Sequence, residues 1–328
     1  MADRKKRIPR ITLKNAPPPY DEEDGDYIYF ADGDGQPCAD RHPFRHDARG
    51  FELVNAWWLI DAATLVYSDP ARVEQRFRDK TPLQQVNPFA TERGTECFVA
   101  ANEDFAIVAF RGTEISPRPE PHPDFRNILL DVGTDADIRT SAFGEGANVH
   151  RGFAEALDGV WEAGGLREFV ANLPSRTVWF TGHSLGAALA TLAAARTLAE
   201  GGRLDGLYTY GSPRVGDEGF AATFDHLMAE RGIEHYRFVN HEDLVTKVPI
   251  RALPPRTLFK HVGSLRRIDR DGHISDAPAA TTPPKLSLLD LLPIRDGRID
   301  PNFFNLIPNA VDDHVPTLYS THIWNALV

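Results

Sequence analysis

The first fifty residues carry no periodic apolar pattern. They hold the triple proline 17–19, an acidic run from Asp21 to Asp26 and the turn-rich Asp32-Gly33-Asp34-Gly35. Such composition predicts a solvated polar arm over residues 1–50. At Phe51 the pattern turns helical: Phe51, Val54, Asn55, Trp58, Ala62 and Leu65 recur at steps of three and four, predicting an amphipathic helix to about Tyr67. Short apolar runs then alternate with helical stretches. Residues 97–101 and 105–110 read as strands around an Asn102-Glu103-Asp104 turn, and residues 149–163 as a helix. Residues 177–181 read as a strand and residues 185–200 as an alanine-rich helix. Residues 207–210 and 236–239 are short buried-type strands with a helix, 219–230, between them. This alternation predicts an α/β fold whose central sheet is mostly parallel and covered by helices on both faces. Residues 258–268 and the Arg270-Asp271-Gly272 turn predict an antiparallel hairpin at one edge. Residues 276–312 are proline-rich with apolar knots (Leu286–Leu292, Phe303–Ile307) and read as an insertion within a domain spanning 51–328.

Charge and composition narrow the function classes. Across 328 residues, 36 basic and 47 acidic side chains leave a net charge of −11. An acidic chain repels phosphate backbones, and the only basic cluster is at residues 4–10, so no nucleic-acid partner is expected. Two cysteines, Cys38 and Cys97, make neither a disulfide framework nor a cysteine zinc set. The acidic loop at 32–35 lacks the spaced ligands and closing Glu of a calcium loop. No run of 18 apolar residues is present, so no transmembrane segment is expected. The basic start has no apolar core behind it, which does not support a cleavable secretory signal. A cytoplasmic location, or export without such a signal, is the expectation.

Chemistry concentrates at Gly182-His183-Ser184-Leu185-Gly186, a G-x-S-x-G between a predicted strand and a predicted helix. A sharp turn there exposes the serine hydroxyl, the glycines let neighbouring backbone pass closely, and the helix start aims N–H groups at developing negative charge. A serine nucleophile needs a base, and the base an orienting acid, in the chain order Ser, Asp or Glu, His. Asp243 follows the strand HYRFV, with Glu242 beside it. Four histidines come later. His261 falls inside a predicted strand, His273 beside a hairpin turn and His322 within the last helix. His314 lies in a loop just before a helix that Pro316 can open, which favours it, with His322 next.

Taken together, these motifs resemble the class 3 lipase family of fungal-lipase-like α/β-hydrolases. Phe110-Arg111-Gly112-Thr113 resembles the family's Phe-Arg-Gly-Ser/Thr, and Asn148 to Phe153 its Val-His-x-Gly-Phe. Gly182 to Gly186 resembles its nucleophile elbow, and Tyr210 to Gly216 its Gly-Ser-Pro-Arg-Val-Gly run. Asn240, Asp243 and Val245 resemble its acid motif; Asp313 and His314 with Tyr319 resemble its histidine motif. The resemblance implies Ser184 as nucleophile, Asp243 as acid, His314 as base, and Thr113 and Leu185 as oxyanion-hole donors. His150 and Arg214 match motif positions too and read as structural hydrogen-bonders. Thr246 stands where members often carry proline. The stretch after Thr113, where the family places its lid, holds prolines at 117, 119, 121 and 123.

The implied activity is carboxylic ester hydrolysis through an acyl-enzyme, on a lipid or other ester substrate, with peripheral contact at a lipid interface. No metal or organic cofactor is expected. Phospholipase A1, a soluble-ester carboxylesterase and a non-catalytic lipid-binding scaffold are the alternatives.

Overall fold

The computed structural model describes residues 27–31, 38–91, 96–112, 140–249, 259–276 and 313–328, with the backbone of 294–295 and 298–299. In chain order the elements are α1 (Leu53–Leu65), α2 (Pro70–Lys80), β1 (Gln85–Ala90), β2 (Glu96–Ala101), β3 (Phe105–Phe110), β4 (Thr140–Gly144) and β5 (Ala147–His150). Next come α3 (Arg151–Asp158), running into a π-turn at Gly159–Ala163, then α4 (Leu166–Ala171), β6 (Thr177–His183) and α5 (Leu185–Ala199). They are followed by β7 (Gly206–Tyr210), β8 (Gly216–Asp217), α6 (Glu218–Glu230), β9 (His235–Asn240) and a 3-10 turn, Val245–Lys247. The chain ends with β10 (Phe259–Lys260), β11 (Ser264–Ile268), β12 (Ile274–Ser275), β13 (Ile294–Arg295), β14 (Arg298–Ile299) and α7 (Pro316–Leu327).

Eight strands form the main sheet in the order β1-β2-β3-β6-β7-β9-β11-β12. The five from β3 to β11 run parallel, while β1-β2-β3 and β11-β12 pair antiparallel. Every residue of β3 and of β7 is buried. Strands covered on both faces read as continuous apolar runs, so alternation is absent there. Helices α3, α5 and α6 cover one face around Phe180, Leu189 and Phe220; α1 and α7 cover the other around Trp57, Trp58, Trp179 and Trp324. The alanines of α5 let it lie close to the sheet, and twelve of its residues are buried.

Three expectations change. First, α1 is not amphipathic: all residues from Asn55 to Leu65 are buried. It is enclosed by the sheet, by α7 and by the N-terminal segment, so its polar Asn55 and Asp61 are satisfied internally. Second, the described part of residues 1–50 is not a solvated arm. Tyr27, Tyr29, Phe30, Cys38 and Phe44 are buried in the same core as Trp57 and Trp58. Their scattered spacing gave no period to read, because they pack as loop residues, not as a helix face or strand. Third, residues 147–150 are extended, and β5 joins a second sheet, β10-β8-β5-β4. The elements not predicted include β4, α4 and β8, together with α2 and β1. Helix α2 buries only Val73 and Phe77, with Asp69 accepting from Arg72 N as its cap and Pro70 in its first turn. Strand β1 sits at the sheet edge, where Pro88 is tolerated. The stretch after Thr113 and the apolar knots of 276–312 lie outside the described residues; β13 and β14 pair as a short hairpin within the latter.

Candidate active site

The parallel strands aim their C-terminal ends at one edge of the sheet, and three chain segments meet there. At the first, β6 ends at His183 and α5 begins at Leu185, leaving Ser184 between them at φ 60° and ψ −128°. A non-glycine residue held at positive φ is strained and persists only where its surroundings over-determine it. Ser184 N donates to Tyr210 O at 3.0 Å, and Ser184 O accepts from Ala187 N at 3.0 Å. A Cβ on Gly182 would lie 2.2 Å from Gly186 O, and one on Gly186 would lie 2.1 Å from Phe110 O. Both glycines are therefore required by close backbone passage. Leu185 is the first residue of α5, so its N–H has no intrahelical partner one turn back.

The second and third segments carry the residues expected as acid and base. Asp243 follows β9, and His314 precedes α7; both are fully buried. His314 Nδ1 lies 2.8 Å from Asp243 Oδ2. That contact makes Nδ1 the protonated nitrogen, donating to the carboxylate, and leaves Nε2 to accept a proton. Tyr319 Oη donates to the same Oδ2 at 2.6 Å and accepts from Asn240 N at 3.0 Å, while Val245 N donates to Oδ1 at 2.9 Å. Burial first, and then the Asp243 charge, hold the Tyr319 hydroxyl well above its ordinary pKa, so it stays a donor. The acid turn and the base loop are also joined directly. Asn240 Nδ2 donates to Asp313 O at 2.9 Å, and Glu242 N donates to Asp313 Oδ2 at 3.1 Å.

Of the other predicted residues, Glu242 points outward to Lys247 Nζ at 2.7 Å, leaving Asp243 as the inward carboxylate. Thr113 lies outside the described residues. Its neighbour Gly112 is described, and a Cβ there would lie 3.2 Å from Ser184 Cβ. His261 is not in a strand: it follows β10, and Nε2 donates to Thr246 O at 2.7 Å, bracing the acid loop. His322 is buried in α7, and burial holds it below its ordinary pKa. His150 packs on Phe153 and Phe259. Arg214 donates through Nη1 to Lys247 O and, at 2.6 Å, to Pro249 O, clamping the loop after Asp243. His273 sits exposed with Asp269 and Asp271, the one group among the described residues whose ligand atoms could share an ion. Asp269 Oδ1 there accepts from Asp271 N and His273 N, the geometry of a tight turn.

Sequence reasoning missed the supporting residues. Gly211, at φ +58°, is required because a Cβ there would lie 2.8 Å from His314 Cε1 and 2.9 Å from Asp243 Oδ2. The signal existed, since it opens the Gly-Ser-Pro-Arg-Val-Gly run. His183, the unspecified position of the elbow motif, and Tyr67 were also missed.

The comparisons follow this geometry. Residues 107–253 match the family described as lipase (class 3), a span that takes in the elbow and Asp243. Over that span this chain is similar to the class 3 lipases. Among its relatives, the secreted mono- and diacylglycerol lipase 1 of Fusarium solani is 41% identical over 108 residues, 32% of this chain and 30% of that one. A chloroplastic phospholipase A(1) of Arabidopsis thaliana is 41% identical over 75 residues, 22% of this chain and 16% of that one. The match thus spans less than a third of the length of either relative. The triacylglyceride lipase of Rhizomucor miehei shares the fold: TM-score 0.53 at 23% identity, over 80% of this chain and 92% of that one. The chain therefore has the α/β-hydrolase fold. None of its helices among the described residues is long and apolar enough to cross a membrane.

Proposed function

We propose that this chain hydrolyses carboxylic esters of lipids, with acylglycerols as the substrate class, through an acyl-enzyme on Ser184. The observation that carries the reading is the buried 2.8 Å contact between His314 and Asp243 at the same sheet edge as the strained Ser184. Ser184 Oγ attacks the acyl carbonyl while His314 Nε2 takes its proton. Asp243 holds the imidazole in the Nδ1–H tautomer and stabilises the imidazolium that forms. The N–H groups of Leu185 and Thr113 meet the oxyanion, each such donor being worth about 3 kcal/mol in the transition state. His314 then protonates the leaving alcohol and activates water for deacylation. No metal or cofactor has a step in this sequence.

The Fusarium relative's name supports acylglycerols. The Arabidopsis relative's name supports a second reading, cleavage of the sn-1 ester of phospholipids. A peripheral encounter with a lipid interface fits either, as does export, since the Fusarium relative is named as secreted. Residues 51–328 would form the hydrolase unit together with the buried part of the N-terminal segment, with 276–312 inserted before the base.

Replacing Ser184 tests the chemistry. A fluorophosphonate probe labels the wild-type chain, and Ser184→Ala abolishes both labelling and p-nitrophenyl ester turnover with an unchanged melting curve. Retained labelling in that variant would refute the assignment. A panel of diacylglycerol and phosphatidylcholine substrates then separates the two readings.

A further inference from the structure

The elbow motif leaves its second position unspecified, and here that position holds a histidine with no role in the triad. His183 is fully buried at the end of β6, and its ring centroid lies 4.5 Å from that of His314. Its Nε2 lies 2.7 Å from the backbone carbonyl oxygen of His314. A carbonyl can only accept, so Nε2 carries the proton and donates. Its Nδ1 lies 3.1 Å from Tyr67 Oη, just beyond the end of α1. Burial, and then the nearby His314 ring, hold His183 well below its ordinary pKa, so the ring is neutral. In the Nε2–H tautomer its Nδ1 is an acceptor, and the Tyr67 hydroxyl donates to it. That hydroxyl is itself fixed in place, because a Cβ on Gly112 would lie 2.3 Å from it. Gly112 is thus the space into which Tyr67 fits.

We propose that His183 is a positioning residue of the triad: its Nε2–H grips the main chain of the base, and Tyr67 locks the tautomer that makes this possible. The deduction rests on the ester-hydrolase reading of Ser184, Asp243 and His314. The residue adjoining the nucleophile holds the carbonyl of the base, so the two cannot drift apart without breaking a buried hydrogen bond. Asn240 holds the preceding carbonyl, that of Asp313, from the acid side. The loop bearing His314 is gripped at successive peptides by the elbow and by the acid turn. Misplacing a catalytic group by about 1 Å can cost about a hundredfold in rate.

The test compares side chains that differ in what they can donate and where. Sites are first counted by phosphonate titration, and kcat per titrated site is measured on a dissolved short-chain ester. His183→Leu cannot donate and is expected to lose about a hundredfold in kcat per site at constant KM. His183→Gln, whose amide nitrogen reaches the place of Nε2, is expected within tenfold of wild type. His183→Asn reaches towards Tyr67 but not the His314 carbonyl and is expected to resemble leucine, which keeps the comparison available should the leucine variant not fold. The low-field Nδ1 proton resonance of His314 should broaden or move upfield in the asparagine and leucine variants and return in glutamine. Wild-type kcat per site in the leucine or asparagine variant, or an equal loss in glutamine, overturns the proposal. Wild-type protein that takes up no phosphonate overturns the hydrolase reading beneath it, a result read before any variant is made.

Discussion

Two carboxylates are fully buried among the described residues, and consecutive residues of α7 reach them both. Tyr319 donates to Asp243 at 2.6 Å, and the next residue, Ser320, donates to Asp61 at 2.5 Å. Asp243 faces the His314 imidazole at 2.8 Å. Asp61 lies within α1 and is bonded by neutral donors: Ser320 Oγ, Phe30 N at 2.8 Å and Tyr27 Oη at 3.1 Å. Burial and hydrogen bonds are thus common to both. What differs is the imidazole, and the strand end that presents Asp243 where the serine stands. A buried carboxylate is a structural node until a titratable partner and a nucleophile share its edge of the sheet.

The largest expected effect separates the two nodes. Asp243→Asn leaves the shape intact but presents the wrong hydrogen-bonding pattern to His314, so kcat should fall by about ten-thousandfold. Asp61→Asn should leave kcat within twofold. Steady-state turnover on one dissolved ester measures both. A comparable loss at Asp61 would mean that the node under α7 also takes part in catalysis.

A smaller effect comes from the backbone that supports the acid. Gly211→Ala puts a methyl group within 3 Å of both His314 and Asp243, at a φ of +58° that alanine resists. The pair must move apart or tilt, with a loss of about a hundredfold in kcat and a small drop in melting temperature. Unchanged turnover in this variant would show that the pair has room that the geometry denies it.

This contrast also marks how much was legible in the sequence. Strands β2, β3, β6, β7 and β9 announce themselves as apolar runs, while Ser184, Asp243 and His314 are proposed from motif, the first two by their place after strands and the third by its loop before a helix. Asp61 could not be found that way. It sits inside an apolar helical pattern, and its partners Tyr27 and Ser320 are 34 and 259 residues away, a pairing no local period encodes. Tyr27, Phe30 and Phe44 escape for the same reason: they are core residues on irregular backbone, within a segment whose overall composition is polar. His261 was misplaced because the strand β10 stops at Lys260, and just past that end the His261 ring braces Thr246. Helix α2 shows the opposite failure, a well-capped helix with too few apolar positions to set a period.

The smallest effect concerns stability and its dependence on pH. Burial raises the Asp61 pKa from 3.8 to about 6, against the opposing pull of its hydrogen bonds from Ser320, Phe30 and Tyr27. Between those values the unfolded chain has already released the proton that the folded chain still holds. Stability from this group is therefore fully present below about pH 3.8, falls as pH rises towards 6, and is flat above. A shift of about two units corresponds to roughly 3 kcal/mol at most. Asp61→Asn removes the titration yet keeps an acceptor for Phe30 N and a polar group for the two hydroxyls. Urea unfolding of wild type and variant at a series of pH values isolates the group, since every other titration is common to both. The variant should gain on wild type by up to roughly 3 kcal/mol between about pH 4 and pH 6.5, with no further change to pH 8. A difference that stays constant across that range would mean that Asp61 is ionised throughout, and that its three donors outweigh its burial.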